Sequence, residues 1–396
     1  MQKLQLQSQS QSQSQNFLDM KQEQDQSHMT IIDDDRITKH FSNTTFSKYS
    51  KKKVENEMLK TLKNECIEET NYWCAELLCS GHFTAIWEIF LCFFCKNIHI
   101  SNPKICVYLG TELEKMKKII KSQNDIFNNS NSTILDIRNI PEIRKKLIEI
   151  CVVLCYSCRK VAIEPIKIHK EYEFQMDFVM KKIKANSYYV QSIFKSSDPN
   201  ELFVPCNELY FMMLQKNITG CSYWLEWLIE FDNFCRLKKN PLICHKRDDF
   251  QVAEKYFTHI TWLIWDIFCL FLETQFGVEN KSTNHNNTEI YYLQQLGGEG
   301  GKKNGCTFIQ KVYDNLLTLF CFQFSIASLK KRKFAFYFLL ELFIETVDLM
   351  SIPPILATDK QIFLDALLQN NDVIYKQIKK AEFKDAKYAL YNIDNL

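Results

Sequence analysis

Residues 71–90 read NYWCAELLCSGHFTAIWEIF, two apolar runs parted by Ser80-Gly81-His82. The first run continues a pattern that starts near residue 54, VENEMLKTLKNECIEETNYWCAELL. Within it Met58, Leu62, Cys66 and the pair Tyr72-Trp73 fall near one face of a helix. Gly81 stands where a helix places its left-handed terminal residue. The second run then predicts a helix over about 84–97. The tryptophan-bearing segments are therefore read as α-helices that bury an aromatic side.

Composition points the same way. The chain has 396 residues, enough for one to three domains, and 46% of them are hydrophobic. Phe is abundant at 30, whereas Gly and Pro number only 9 and 8. Sheets need many turns, and turns lean on Gly and Pro, so long helices are expected. The formal net charge of +2 gives no global attraction to nucleic acid or to an anionic membrane.

Most of the 16 cysteines lie inside apolar runs, as in IFLCFFC (89–95), EICVVLCYSC (149–158) and IFCLFL (267–272). Free Cys behaves as a small buried hydrophobe. The opening MQKLQLQSQSQ lacks the apolar core of a secretory signal. A reducing setting is expected, cytoplasmic or in a host cytoplasm or virion, and not secreted. The apolar segments 83–95, 260–272 and 334–349 fall short of the roughly 20 clean residues a membrane helix needs. They also carry Glu88, Asp266, and Glu341 with Glu345, so they are read as core helices.

Along the chain, residues 1–50 form a Gln/Ser-rich tail expected to be disordered. A first helical lobe covers 51–200 and a second 201–350, with inserted loops at 235–250 and 277–305. Residues 351–396 form a helical extension. Helices are expected near 109–121, from Pro141 to 160 with Asn139 as N-cap, at 172–184 and 188–195, and from 207 to about 276. Further helices are expected at 306–329, 333–350, 359–370 and 372–391, with a polar loop at 122–133.

Two stretches share a pattern, which raises an all-α fold of two related lobes. Tyr72-Trp73 with Glu76 precedes WEIFLCFF at Trp87, and Tyr223-Trp224 with Glu226 precedes WDIFCLFL at Trp265. The offset is 151 for the first element (223 minus 72) and 178 for the second (265 minus 87). The 27-residue difference is assigned mostly to the 235–250 insertion. RKKLIEICVVLCYSC and VYDNLLTLFCFQF are the matching later helices under this scheme.

No phosphate-binding G-x-x-x-x-G-K-[ST] and no G-x-S-x-G nucleophile motif occurs. The run Gly297 to Lys303 is glycine-rich and basic, but no apolar strand precedes it, so it is read as a loop. Cys235, Cys244 and His245 are the candidate metal ligands, in a polar stretch with Pro241. Arg236, Lys238, Lys239, Lys246 and Arg247 make that stretch the candidate contact for nucleic acid or a protein partner. Asp248 and Asp249 follow at once and weaken its field. Glu341 and Glu345 share a helix face, with Lys330, Lys331, Arg332 and Lys333 available to neutralise them. No residue is assigned a catalytic or cofactor-binding role.

The stretches EETNYWCAELLCSGHFTAIWEIF, SNPKICVYL, LDIRNIPEIRKKLIEICVVLCYS, SYWLEWLIEF and WLIWDIFCLFL together resemble an uncharacterised all-helical family of nucleocytoplasmic large DNA viruses, over roughly residues 55–350. That resemblance implies a viral setting and a helical fold and carries no catalytic residues. The segment from Tyr72-Trp73 to Gly81 is also similar to the helical collar of clamp-loader-like ATPases, which implies oligomerisation without ATP chemistry. The expected function is a helical scaffold or protein-interaction subunit of an assembly or replication/transcription complex. The alternatives are a nucleic-acid factor using 236–247 and a zinc-dependent protein.

Overall fold

A computed structural model of the protein describes residues 29–34, 36–127, 135–276, 301–345 and 351–383. The fold is all-α, 67% helical, with fourteen α-helices and no strand among the described residues. In chain order these are α1 (Lys51–Lys63), α2 (Ile67–Cys79), α3 (Phe83–Phe93), α4 (Lys104–Phe127), α5 (Pro141–Tyr156), α6 (Met176–Lys182) and α7 (Phe203–Leu214). Then follow α8 (Ile218–Leu237), α9 (Ile260–Phe276), α10 (Gly301–Cys321), α11 (Ile326–Arg332), α12 (Phe334–Ile344), α13 (Thr358–Gln369) and α14 (Asn371–Phe383).

These helices form two compact units, and the division differs from 51–200 and 201–350. One unit takes the described residues up to Ile86, those from Met116 to Tyr156 and those from Leu356 onward. The other takes Trp87–Lys115 and the described residues from Ser157 to Ile355. The helices at 358–383 are thus part of the first unit and not a separate extension.

In the first unit α1 and α2 form an antiparallel hairpin, with Val54, Met58 and Leu62 buried one turn apart. Helix α5 packs on both, α13 packs on α5, and α14 packs on α2 and α5. Part of the expected tail is folded here: Ile32, Phe41 and Phe46 are buried, and Arg36 stands over both phenyl rings. Residues 1–28 lie outside the described residues. Helix α5 begins at Pro141 as expected, but Asn139 does not cap it. Its amide instead brackets Ile32, accepting from the backbone N–H and donating to the carbonyl. Asp372 on α14 accepts from the N–H and hydroxyl of Thr30, so the last described helix holds the first described residues.

In the second unit α7 and α8 form another hairpin, against which α12 packs. Every residue from Ala335 to Leu340 on α12 is fully buried, which is why its sequence reads FAFYFLL with no polar side. Gly110 on α4 leaves room for Asn315 on α10, whose side chain occupies the space a Cβ would need. Among the described residues one stretch is long and apolar enough to cross a membrane, Phe83–Ser101, and 72% of its most apolar window is buried inside the protein. Every cysteine among the described residues is a free thiol.

Several expected boundaries move. Helix α4 starts earlier and runs through 122–127, part of the expected polar loop; 128–134 lie outside the described residues. The helix expected at 172–184 contracts to α6, and 188–195 is turn. The helix expected over 306–329 breaks at 322–325, where Ser325 caps α11 by accepting from the Ser328 N–H. Of the 277–305 loop, 277–300 lie outside the described residues and 301–305 open α10. Residues 346–350 and 384–396 also lie outside.

The two hairpins repeat one connection. Asn64, Glu65 and Cys66 donate backbone N–H groups to the carbonyls of Lys60, Leu62 and Thr61. Gln215, Lys216 and Asn217 donate in the same order to Phe211, Met213 and Met212, each 151 positions later. Glu65 and Lys216 both take positive φ, 60° and 53°. The Tyr72–Trp73 and Tyr223–Trp224 ring pairs share a centroid distance of 5.1 Å, at 78° and 80°. The 27-residue difference is also accounted for. Helix α8 is seven residues longer than α2, 20 against 13. The connection 238–259 is nineteen longer than 80–82. Trp265 follows His259 by six residues where Trp87 follows His82 by five. The later match is revised: α12 packs on α8 more extensively than α10 does, as α5 packs on α2.

Candidate functional site

Of the five residues expected to form a basic contact, Arg236 and Arg247 are taken up by pairs inside the second unit, whereas Lys238, Lys239 and Lys246 are exposed. Helix α8 extends to Leu237, so Cys235 and Arg236 are helical and not in a loop. Arg236 donates at 2.7 Å to Asp232 one turn back. Arg247 is buried, and its guanidinium grips Asp198 at 2.8 and 2.9 Å while also donating to Asp266. Burial pushes the Asp198 carboxyl up, but Arg247 and the N–H groups of Lys195 and His245 outweigh it, so it lies below its usual value. Asp266 is pushed up by burial despite Arg247. Arg247 is therefore a structural ion pair and not a surface contact. Lys238 and Lys239 are exposed, Lys238 with its ammonium over Phe234, and Lys246 is exposed beside Asp248 and Glu254.

The Cys/His group does not assemble. Cys244 is buried, with its backbone N–H on the Thr258 carbonyl, and burial pushes its thiol up to about 12. His245 turns its ring to Ser197 at 2.8 Å, and Cys235 remains half-buried on α8. Among the described residues no three His, Cys, Asp or Glu side chains gather as a metal-holding group.

A different cluster has the features of a functional site. Phe94–Ile98 form a π-helical turn, a rare geometry that is frequent at functional sites. His99 follows it at φ 54°, ψ −140°, a region that glycine favours and other residues occupy only when their surroundings enforce it. The imidazole is fully buried, edge-on to Phe338, with Nδ1 3.5 Å from Glu341 Oε2. Neither ring nitrogen has a hydrogen-bond partner within the described structure. Burial, then Lys160, pulls its pKa down to about 3, so the ring is neutral near pH 7.

Glu341 is buried on α12 and accepts the Ile163 N–H at 3.3 Å. Lys160 lies 3.1 Å from Glu341 and 2.7 Å from Glu345. Burial works against the Lys160 charge, but both glutamates outweigh it and hold its pKa above the usual value. The chain carrying Lys160 is pinned to the π turn, since the Lys160 and Ala162 N–H groups donate to Asn97 and Lys96. Lys333, expected beside Glu341, pairs instead with Glu226, which also accepts from Tyr337. Buried Arg332 donates to the carbonyls of Phe320 and Phe322. The sequence reading found Glu341 and Glu345 but missed His99 and Lys160. A π turn and a non-local pair leave no spacing to read; the signal present was a histidine ending an apolar run.

No protein-family model, no curated protein and no solved structure matches this chain.

Proposed function

We propose that the protein is a non-enzymatic helical scaffold or interaction subunit, viral in origin, serving an assembly or replication/transcription complex. One observation carries the reading: the second unit exposes large apolar side chains on its segment before α7. Met176 and Met180, one turn apart on α6, are 66% and 59% exposed, and Tyr172 and Tyr188 flank them at 43% and 75%. Exposed apolar groups mark contact surfaces when they cluster, and methionine adapts its shape to a partner. Several buried charges, by contrast, bind one another, as in Arg247 with Asp198 and Glu226 with Lys333. The viral setting rests on the resemblance of residues 55–350 described above.

Photo-methionine incorporated at 176 and 180 in the expressing cell tests this. Cross-links from those positions to one defined partner chain, lost in a Met176→Glu/Met180→Glu variant, are the expected result. Cross-links confined to the protein itself would remove the reading. Exposed Lys238, Lys239 and Lys246 support a second reading, a nucleic-acid contact. It predicts a gel shift at low salt that weakens on Lys238→Glu/Lys239→Glu.

A further inference from the structure

We propose that the His99–Glu341–Lys160 cluster is an acid-operated latch, in which protonation of His99 releases the 157–163 segment from the π turn.

The geometry carries the argument. The imidazole is sealed from solvent with one nitrogen 3.5 Å from Glu341 Oε2, and the same carboxylate oxygen is 3.1 Å from the Lys160 ammonium. A proton on His99 would place a second cation on a carboxylate that already pairs with Lys160, whose ammonium also has Glu345 to turn to. Charged groups on the surrounding elements are Glu341 on α12, Glu345 just past it, Lys160 and Arg159 on the segment, and Lys96 on the π turn. Arg159 and Lys96 stand over Phe93 and Phe334, and both add positive charge to the neighbourhood. Neither ring nitrogen is hydrogen-bonded as it stands, and the one carboxylate beside the ring, Glu341, is shared with Lys160.

Two further facts make release the outcome. The backbone at His99 is strained, so opening relieves a conformational cost as well as solvating the imidazolium. The bonds that join the segment to the π turn and to α12 include the Lys160 and Ala162 N–H groups on Asn97 and Lys96, and the Ile163 N–H and Lys160 ammonium on Glu341, so losing the Glu341 contacts loosens the same stretch.

The sign follows from linkage. The folded pKa, about 3, lies below the reference 6.5, so the opened state binds the proton more readily. The closed latch is fully stable above about pH 6.5 and loses stability as pH falls toward 3.

Amide hydrogen exchange on the intact chain, corrected for intrinsic rates, tests this. Protection of the Lys160 and Ala162 amides should fall on the order of tenfold between pH 7 and pH 5. The Leu339 amide, in the middle of α12, should hold. His99→Gln should make the protection ratio independent of pH over that range. Lys160→Met, by removing the competing cation, should shrink the fall. In wild type, the NMR shift of the His99 ring should move together with the loss of protection. A flat wild-type ratio overturns the latch. So does an equal fall in His99→Gln or, should that variant not fold, a His99 ring that stays neutral while protection is lost.

Discussion

The α1–α2 and α7–α8 hairpins share a loop yet hold their buried glutamates by different means. Asn64, Glu65 and Cys66 and their counterparts Gln215, Lys216 and Asn217 differ by 11° or less in each reported dihedral. In the first hairpin Glu76 accepts from the Ser47 N–H and hydroxyl at 2.7 and 2.9 Å. In the second, Glu226 takes the Lys333 ammonium and the Tyr337 hydroxyl from α12. The two glutamates are not equivalent. At the offset of 151, Glu76 aligns with Trp227 and Glu226 with Ala75. One residue on a helix turns a side chain by about 100°, so each acid meets a different neighbour. A loop is set by its own few residues; a buried charge is set by whatever packs over it.

The largest expected contrast is between those acids. Glu226→Ala leaves the largely buried Lys333 ammonium without its carboxylate, while the Tyr337 hydroxyl keeps Ser222, and should cost about 3–5 kcal/mol. Glu76→Ala loses neutral donors and should cost about 1–3 kcal/mol. Equal losses by urea denaturation would erase the distinction.

Next comes the helix crossing inside each hairpin. A Cβ on Gly220 would stand 2.6 Å from Met212 Sδ, so Gly220→Ala should destabilise by about 1–3 kcal/mol. The aligned position in the first hairpin is exposed Glu69, where Glu69→Ala should stay within about 0.5 kcal/mol. Thermal midpoints of the two variants test this directly.

Caps come third. Asn217 accepts the Gly220 N–H at 2.9 Å, whereas Cys66 makes no side-chain cap. Asn217→Ala should lose about 1 kcal/mol and Cys66→Asn should gain a comparable amount. The smallest effect is common to both loops: Glu65→Gly and Lys216→Gly each relieve a positive φ and should stabilise by at most about 1 kcal/mol. A gain in one loop and a loss in the other would show that the shared dihedrals conceal different strain.

Local and periodic signals were legible. Gly81 at φ 72° ends the run after α2 as its lack of a side chain predicted, and Pro141 opens α5. The Tyr-Trp repeat marks α2 and α8, but the turns at 64–66 and 215–217 hold no Gly or Pro, so 54–79 reads as a single helical pattern where the structure has the α1–α2 hairpin. Isolated charges were misread: Arg247, placed at a surface, is an internal strut, and Glu341 found its cation on Lys160, not within 330–333. Charge identity says nothing about burial, and a long cationic side chain reaches whichever carboxylate the fold brings near it.

By itself the sequence determined that this chain is helical, where its two Tyr-Trp helices lie, and that most of its thiols sit among apolar side chains. Those properties follow from side-chain periodicity and turn chemistry, which act over a few residues. The tertiary structure alone decided the grouping into units, the partners of each buried charge and the closed environment of His99. Such features depend on contacts between residues such as His99 and Glu341, whose separation along the chain carries no pattern and whose energy exists only once water is excluded from between them.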